Sequence, residues 1–138
     1  MNEFKPDCMT LEFAEALAER IKVAASEQQL DVAYAIVDAS GLTVLHARMD
    51  GAFPAALDAA LAKARCAALY RRDTSQFATR VRDGVPLDRL PHVLPLGGGV
   101  TLFSRSGKCL GAVGVSGAIE EIETLLVERV VSAFGSGN

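Results

Sequence analysis

The most informative stretch of this chain is the segment PLGGGVTLFSRSGKCLGAVGVSG, residues 95–117. Three consecutive glycines, residues 97–99, precede two runs that are typical of β-strands, residues 100–103 and 109–115. A polar turn separates the two runs, so the pattern predicts a β-hairpin that follows a glycine loop. Three glycines together indicate positive φ angles, or a close approach of the backbone to a ligand or to another strand.

The composition is that of a globular domain. Of 138 residues, half are apolar and 22% are charged, which is too apolar for a disordered chain and long enough to bury a core. We therefore expect one domain, residues 1–138, with a flexible lead-in over residues 1–9. The cysteine spacings match no zinc or redox motif, which predicts free thiols and no metal site. The cysteines are Cys8, Cys66 and Cys109.

Charge and hydropathy exclude two classes of partner. The net charge of −3 argues against wholesale binding of nucleic acid, which requires a basic face. No apolar run reaches the roughly 18 residues of a membrane span, and the amino terminus lacks the regions of a signal peptide, so we expect a cytoplasmic protein. Residues 63–90 nevertheless hold seven Lys or Arg against three Asp, an asymmetry that can steer an anionic ligand.

The remaining patterns alternate between helix and strand. Thr10 is a plausible N-cap, and His46 and Arg48 share one face of a strand because strand side chains alternate. Antiparallel hairpins separated by helices predict an α+β domain, an antiparallel sheet with helices packed on it, in the order α-β-β-α-α-β-β-α. The other predicted elements are helix 10–27, strands 32–37 and 42–49, helix 54–70, a short helix capped by Asp73 or Thr74, a proline-containing loop over residues 84–95 in which a lid could form, and helix 120–134.

The last of these helices is apolar over more than one face. Packing a single stripe on the sheet would leave branched side chains in water. We therefore predict a homo-oligomer, a dimer or larger, in which this helix forms a subunit contact. The residues expected between subunits are Leu126, Val127, Val130 or Val131.

Several kinds of active site have no signature here. The glycines enter a strand, whereas phosphate-binding glycine motifs lead into the amino terminus of a helix, which excludes a nucleotide fingerprint. The serines lack the motif of a nucleophile elbow, and two histidines without clustered carboxylates indicate neither a triad nor a zinc site.

Three segments carry a family resemblance. AIVDASGLTVLHARMDGA, LAKARCAA and PLGGGVTLFSRSGKCLGAVGVSGA together resemble the GlcG/HbpS-like haem-binding family, which includes the C-terminal domain of PduO-type corrinoid adenosyltransferases. The resemblance covers about residues 11–133. It implies a profilin-like sandwich that assembles into homo-oligomers, with haem or a corrinoid bound in some members. Some haem-binding relatives supply a histidine from the first helix, which contains none in this chain.

A haem iron requires an axial donor such as His, Cys, Met or Tyr. The candidates here are His46 in a strand, His92 in the proline-containing loop and Cys66 in the alanine-rich helix. Each also has a structural interpretation: His46 as a half-buried strand residue, His92 as a solvent-exposed residue, and Cys66 as a small buried hydrophobic residue.

Four charged residues lie in the segments that carry the resemblance: Asp38, Arg48, Asp50 and Lys63. Arg48 or Lys63 near the glycine amides would hold a carboxylate, a phosphate or a haem propionate. A Lys among alanines is also suited to imine or proton-transfer chemistry. The alternative is a structural Asp–Arg pair and a turn-stabilising Asp38. The full set of predicted ligand-binding residues is Asp38, Arg48, Asp50, Lys63, Gly97, Gly98, Gly99 and Ser116.

Three functions remain open on this basis. The first is a small-ligand-binding domain for haem or another tetrapyrrole, as the resemblance implies. The second is a small catabolic enzyme, a hydrolase or isomerase that acts on an anionic carboxylate with Lys63 and Arg48 as catalytic residues. The third is a non-catalytic accessory subunit.

Overall fold

The computed structural model describes residues 7–135, in which the predicted order of helices and strands is confirmed. The predicted lead-in lies outside the described residues as far as residue 6, and residues 7–9 have no regular structure. One 3-10 helix, Leu87–Arg89, interrupts the proline-containing loop. The remaining elements are α1 (Leu11–Glu27), β1 (Ala33–Asp38), β2 (Thr43–Arg48), α2 (Ala55–Tyr70), α3 (Thr74–Arg82), β3 (Gly99–Phe103), β4 (Cys109–Ser116) and α4 (Glu120–Gly135).

The four strands form one antiparallel sheet in the order β2-β1-β4-β3. Both predicted hairpins are present, and they join through β1 and β4, where Ala33 lies opposite Ser116 and Asp38 lies opposite Gly111. The predicted strands β2 and β3 therefore lie at opposite edges of the sheet.

Alternation along the strands divides the core between two faces. On one face, Ala33 and Ala35 pack against the alanines of α2. On the other face, Tyr34 and Ile36 pack with α1 and α4. Small side chains let α2 lie close to β4, since a Cβ on Gly114 would lie 2.1 Å from the carbonyl oxygen of Ala60.

Three of the four α4 residues predicted to lie between subunits are buried within the chain itself, so the prediction is wrong for Leu126, Val127 and Val130. Leu126, Val127 and Val130 are 1%, 0% and 6% exposed, and Val131 packs against the same core. The physical reason is that α4 contacts both the sheet and α1, which requires an apolar arc wider than one stripe.

The outer edge of β3 is covered by the start of α3. The N–H of Gly99 donates to Thr74 Oγ1 at 2.9 Å, and the N–H of Thr101 donates to Asp73 Oδ1 at 3.1 Å. These bonds satisfy amides that an edge strand otherwise exposes. Burial raises the pKa of the Asp73 carboxyl, and the bond from Thr101 acts in the opposite direction. The start of α3 is thereby fixed to the sheet.

Candidate functional site

The amides of the glycine loop are occupied by side chains of the same chain. The N–H of Gly97 donates to the Glu120 carboxylate at the start of α4, and the N–H of Gly99 donates to Thr74. Two of the three amides predicted to face a ligand thus have protein acceptors. The loop serves to bring α3 and α4 against the sheet.

Gly98 combines positive φ with close packing, as three adjacent glycines led us to expect. Its φ is +117°, and a Cβ there would lie 2.8 Å from the carbonyl oxygen of Val115 and 3.1 Å from Lys63 Nζ. The backbone approaches a neighbouring strand and a lysine side chain, which leaves no space for a ligand at this point.

Lys63 forms a buried ion pair with Glu123. Lys63 Nζ lies 2.7 Å from Glu123 Oε1 and donates to the carbonyl oxygen of Val115 at 3.2 Å. Glu123 Oε2 accepts the N–H groups of Gly117 and Ala118 at 2.7 and 2.9 Å. Because the Lys63 and Glu123 side chains are each only 4% exposed, the ammonium joins α2 to α4 and does not face a ligand.

Arg48 lies far from the glycine loop. It is on edge strand β2, whereas the loop leads into edge strand β3, and three strand spacings separate the two edges by about 14 Å. Arg48 Nη1 donates to the carbonyl oxygen of Ala52 at 2.6 Å. Arg48 therefore does not reach the glycine amides, because β1 and β4 lie between β2 and β3.

The two aspartates and Ser116 also lie apart from one another. Asp38 Oδ1 accepts the N–H groups of Ser40 and Leu42 at 2.9 and 3.0 Å, which is the turn-stabilising alternative. Asp50 is exposed after β2, and Ser116 is 5% exposed at the end of β4. Arg48 makes no ion pair within residues 7–135, so the alternative Asp–Arg pair is absent there.

The three candidate axial ligands occupy different environments. His46 is half-buried, and its Nε2 lies 2.7 Å from the carbonyl oxygen of Leu57; a carbonyl only accepts, so Nε2 carries the proton. Cys66 is fully buried, and burial raises the pKa of its thiol. His92 is exposed, with φ of 65°. All three cysteines are free, as predicted.

A cleft beside α3 was not identified from the sequence as a site. We name it the α3 cleft; it has a volume of about 320 Å³, and its lining combines an apolar floor with two guanidinium groups. The excess of Lys and Arg over residues 63–90 indicated that an anionic ligand could be attracted to this part of the chain, but it did not indicate where the ligand would bind. The lining residues are Arg72, Gln76, Phe77, Thr79, Arg80 and Leu87.

The described residues contain neither a metal-binding cluster nor a helix that could span a membrane. No group of three or more His, Cys, Asp or Glu within residues 7–135 is arranged to hold a metal ion. In the same part of the chain, no helix has the length and hydropathy needed to cross a membrane.

The chain matches the model of a known protein family over most of its length. The family model described as "Haem degrading protein HbpS-like" matches residues 9–132. This chain belongs to the HbpS-like family. The resemblance recognised from the three sequence segments is confirmed.

Several curated proteins resemble this HbpS-like chain. It is 34% identical to an uncharacterised 15.0 kDa protein of the dhaT–dhaS intergenic region of Citrobacter freundii, over 91% of this chain and 92% of that protein. It is 33% identical to Protein GlcG of Escherichia coli K12, over 78% and 81% respectively. It is 31% identical to the corrinoid adenosyltransferase PduO of Citrobacter freundii, over 91% of this chain but only 39% of PduO.

Solved structures share the fold of this HbpS-like chain. HbpS from Streptomyces reticuli, solved as a double mutant, is 29% identical with a TM-score of 0.85, over 96% of this chain and 90% of that one. Klebsiella pneumoniae protein ORFY is 30% identical with a TM-score of 0.84, over 99% and 97%. A PduOC:heme complex is 25% identical with a TM-score of 0.83, over 91% and 94%.

Proposed function

We propose that this HbpS-like chain binds haem or a closely related tetrapyrrole. The observation that carries the proposal is the similarity to a PduOC structure described as a heme complex, with a TM-score of 0.83 over 91% of this chain. The family description, which refers to a haem-degrading protein, supports the same ligand class. Bound haem would supply a redox-active iron centre, and the chain's own residues would have to hold it.

The residues present fit such a ligand. A haem needs an axial donor, apolar side chains against its ring and cations near its propionates. His92 is an exposed imidazole in the loop over residues 84–95. The same loop contributes Leu87 to the α3 cleft, whose arginines are suited to carboxylates.

We propose His92 as the axial ligand. The Tyr70 hydroxyl donates to the carbonyl oxygen of Pro91 at 2.6 Å, and the Tyr70 ring lies 5.4 Å from the Phe77 ring, which lines the α3 cleft. These contacts link the backbone beside His92 to the cleft. His46 is the second candidate, but its Nε2 already donates to Leu57.

Cys66 is the weakest of the three candidates. The thiolate, not the thiol, ligates a metal, and burial raises the pKa of this thiol, so it stays protonated at neutral pH. Its full burial also requires the loop near Leu94 to move before any ligand reaches the sulfur.

Absorbance spectra of the haemin complex test this assignment. We expect His92→Asn to abolish the ligated spectrum, whereas His46→Asn and Cys66→Ala keep it; Asn is chosen at residue 92 because it tolerates positive φ. Three unaltered spectra would refute ligation by His92. Hydroxocobalamin titrated in parallel tests whether a corrinoid replaces haem.

A further inference from the structure

We infer that the α3 cleft binds carboxylate groups attached to an apolar body. The inference rests on the proposed function only for the identity of the physiological ligand, because haem carries two propionate carboxylates on an apolar ring. The cleft itself is defined by the side chains of α3, by Arg72 before it and by Leu87 beyond it.

The floor of the cleft is apolar. Phe77, which is 5% exposed, and Leu87, which is half-buried, contribute apolar surface to the lining of an open cleft. The volume of about 320 Å³ lies at the lower end of the range of small-molecule sites, which run from about 300 to 1,000 Å³. This size fits an aromatic carboxylate or one edge of a macrocycle.

Two unpaired cations line the same cleft. Arg72 and Arg80 are exposed, and within residues 7–135 neither guanidinium makes an ion pair or a side-chain hydrogen bond. Guanidinium groups bind carboxylates in a bidentate geometry, and an apolar floor nearby reduces competition from water. Gln76 and Thr79 add polar groups to the rim.

Both walls of the cleft are held in place before a ligand arrives. The start of α3 is fixed to β3 by the bonds of Asp73 and Thr74. The loop that contributes Leu87 is tied to α2 through the bond from Tyr70 to Pro91. A preformed site loses less conformational entropy when its ligand binds.

The required chemistry has two possible sources: the propionates of a porphyrin or a free aromatic carboxylate. Metal-free protoporphyrin IX separates the binding of the propionates from axial ligation, because it carries both propionates but no iron. Its dimethyl ester lacks the carboxylates, and 2-naphthoate carries one carboxylate without the macrocycle.

The test compares the full-length wild type with Arg72→Gln/Arg80→Gln. The matched control is Arg105→Gln, which makes the same kind of charge change at an exposed residue outside the cleft. Porphyrin binding is followed by fluorescence, and 2-naphthoate by its displacement of the porphyrin and by direct calorimetry. Circular dichroism confirms that each variant is folded.

We expect the double variant to bind protoporphyrin IX about tenfold more weakly or worse, with the control unchanged and the dimethyl ester insensitive to both changes. If 2-naphthoate displaces the porphyrin, the cleft also binds free aromatic carboxylates. If 2-naphthoate does not displace it, the cleft is specific for the propionates of a porphyrin. If porphyrin fails to bind but 2-naphthoate binds and is lost in the double variant, the haem proposal fails and the cleft stands. Equal affinities of wild type and double variant for both probes, or no saturable binding of either, would overturn the inference.

Discussion

At the scale of single residues, Gly98 has the backbone that least tolerates a side chain. Its φ is +117°, and an added Cβ would lie 2.8 Å from the carbonyl oxygen of Val115. We predict that Gly98→Ala lowers the free energy of unfolding by about 2 kcal/mol or more, from a disfavoured φ and from overpacking. Urea denaturation measures this loss.

Gly107 provides the matched control for Gly98. It also has positive φ, +89°, but no atom lies within 4 Å of its added Cβ. Gly107→Ala should therefore cost only the conformational term, about 1 kcal/mol. Equal losses for the two variants would mean that close packing at the glycine loop has no role.

The ion pair between Lys63 and Glu123 makes a second prediction at this scale. Lys63→Met leaves the Glu123 carboxylate buried without its cation. We predict a loss of about 3–5 kcal/mol in the free energy of unfolding.

The control for Lys63→Met also changes its partner. In Lys63→Met/Glu123→Gln no buried charge remains, and the amide oxygen can still accept from Gly117 and Ala118. The double variant should recover part of the lost stability in the same denaturation experiment. A Lys63→Met protein that unfolds at the wild-type urea concentration would show that the pair has no stabilising role.

At the scale of elements, Asp73 joins α3 to the edge of β3. Because burial raises the pKa of its carboxyl in the folded state, the folded chain binds more protons than the unfolded chain between the ordinary and the raised value. The contribution of Asp73 to stability therefore falls as pH rises through this window. Asp73→Asn removes this pH dependence and keeps an acceptor for Thr101.

Thermal denaturation over a pH series checks the prediction for Asp73. The stability of Asp73→Asn relative to wild type should rise from pH 4 to pH 7, because the wild type alone has the cost of a buried carboxylate at higher pH. Asp73→Ala, which loses the acceptor, should be about 1 kcal/mol less stable than Asp73→Asn. A constant difference between wild type and Asp73→Asn at every pH would contradict this account.

Two adjacent residues of α4 distinguish internal packing from a subunit contact. Leu126 is 1% exposed and Leu125 is 61% exposed. Leu126→Ala should lower the free energy of unfolding by about 2–5 kcal/mol, whereas Leu125→Ala should change it by less than about 0.5 kcal/mol. A homo-oligomer stays a prediction, and light scattering of both variants would show whether the exposed Leu125 contributes to one.

At the scale of the whole molecule, local patterns predicted most of the fold. Alternation in β2 placed His46 and Arg48 on one face, and the polar turn at residues 104–108 marked the second hairpin. These signals are contained in a few neighbouring residues. The order of helices and strands followed from them.

Contacts between distant residues could not be predicted in the same way. Lys63 and Glu123 are 60 residues apart, and nothing near Lys63 indicates that its charge is neutralised. The contact of α4 with α1 could not be predicted for the same reason. The wide apolar arc of α4 is visible in the sequence, but the sequence does not show whether this arc faces a second subunit or another helix of the same chain. The α3 cleft likewise depends on Arg72 and Leu87, which come together only through the fold.

Haem binding itself is tested by titrating haemin into the wild-type protein and following the absorbance in the Soret region. The α3 cleft and His92 belong to a single chain, so we predict a saturable Soret shift with one haem bound per protomer. A spectrum that changes in proportion to added haemin, with no saturation and no fixed stoichiometry, would contradict the proposal that this chain is a haem-binding protein.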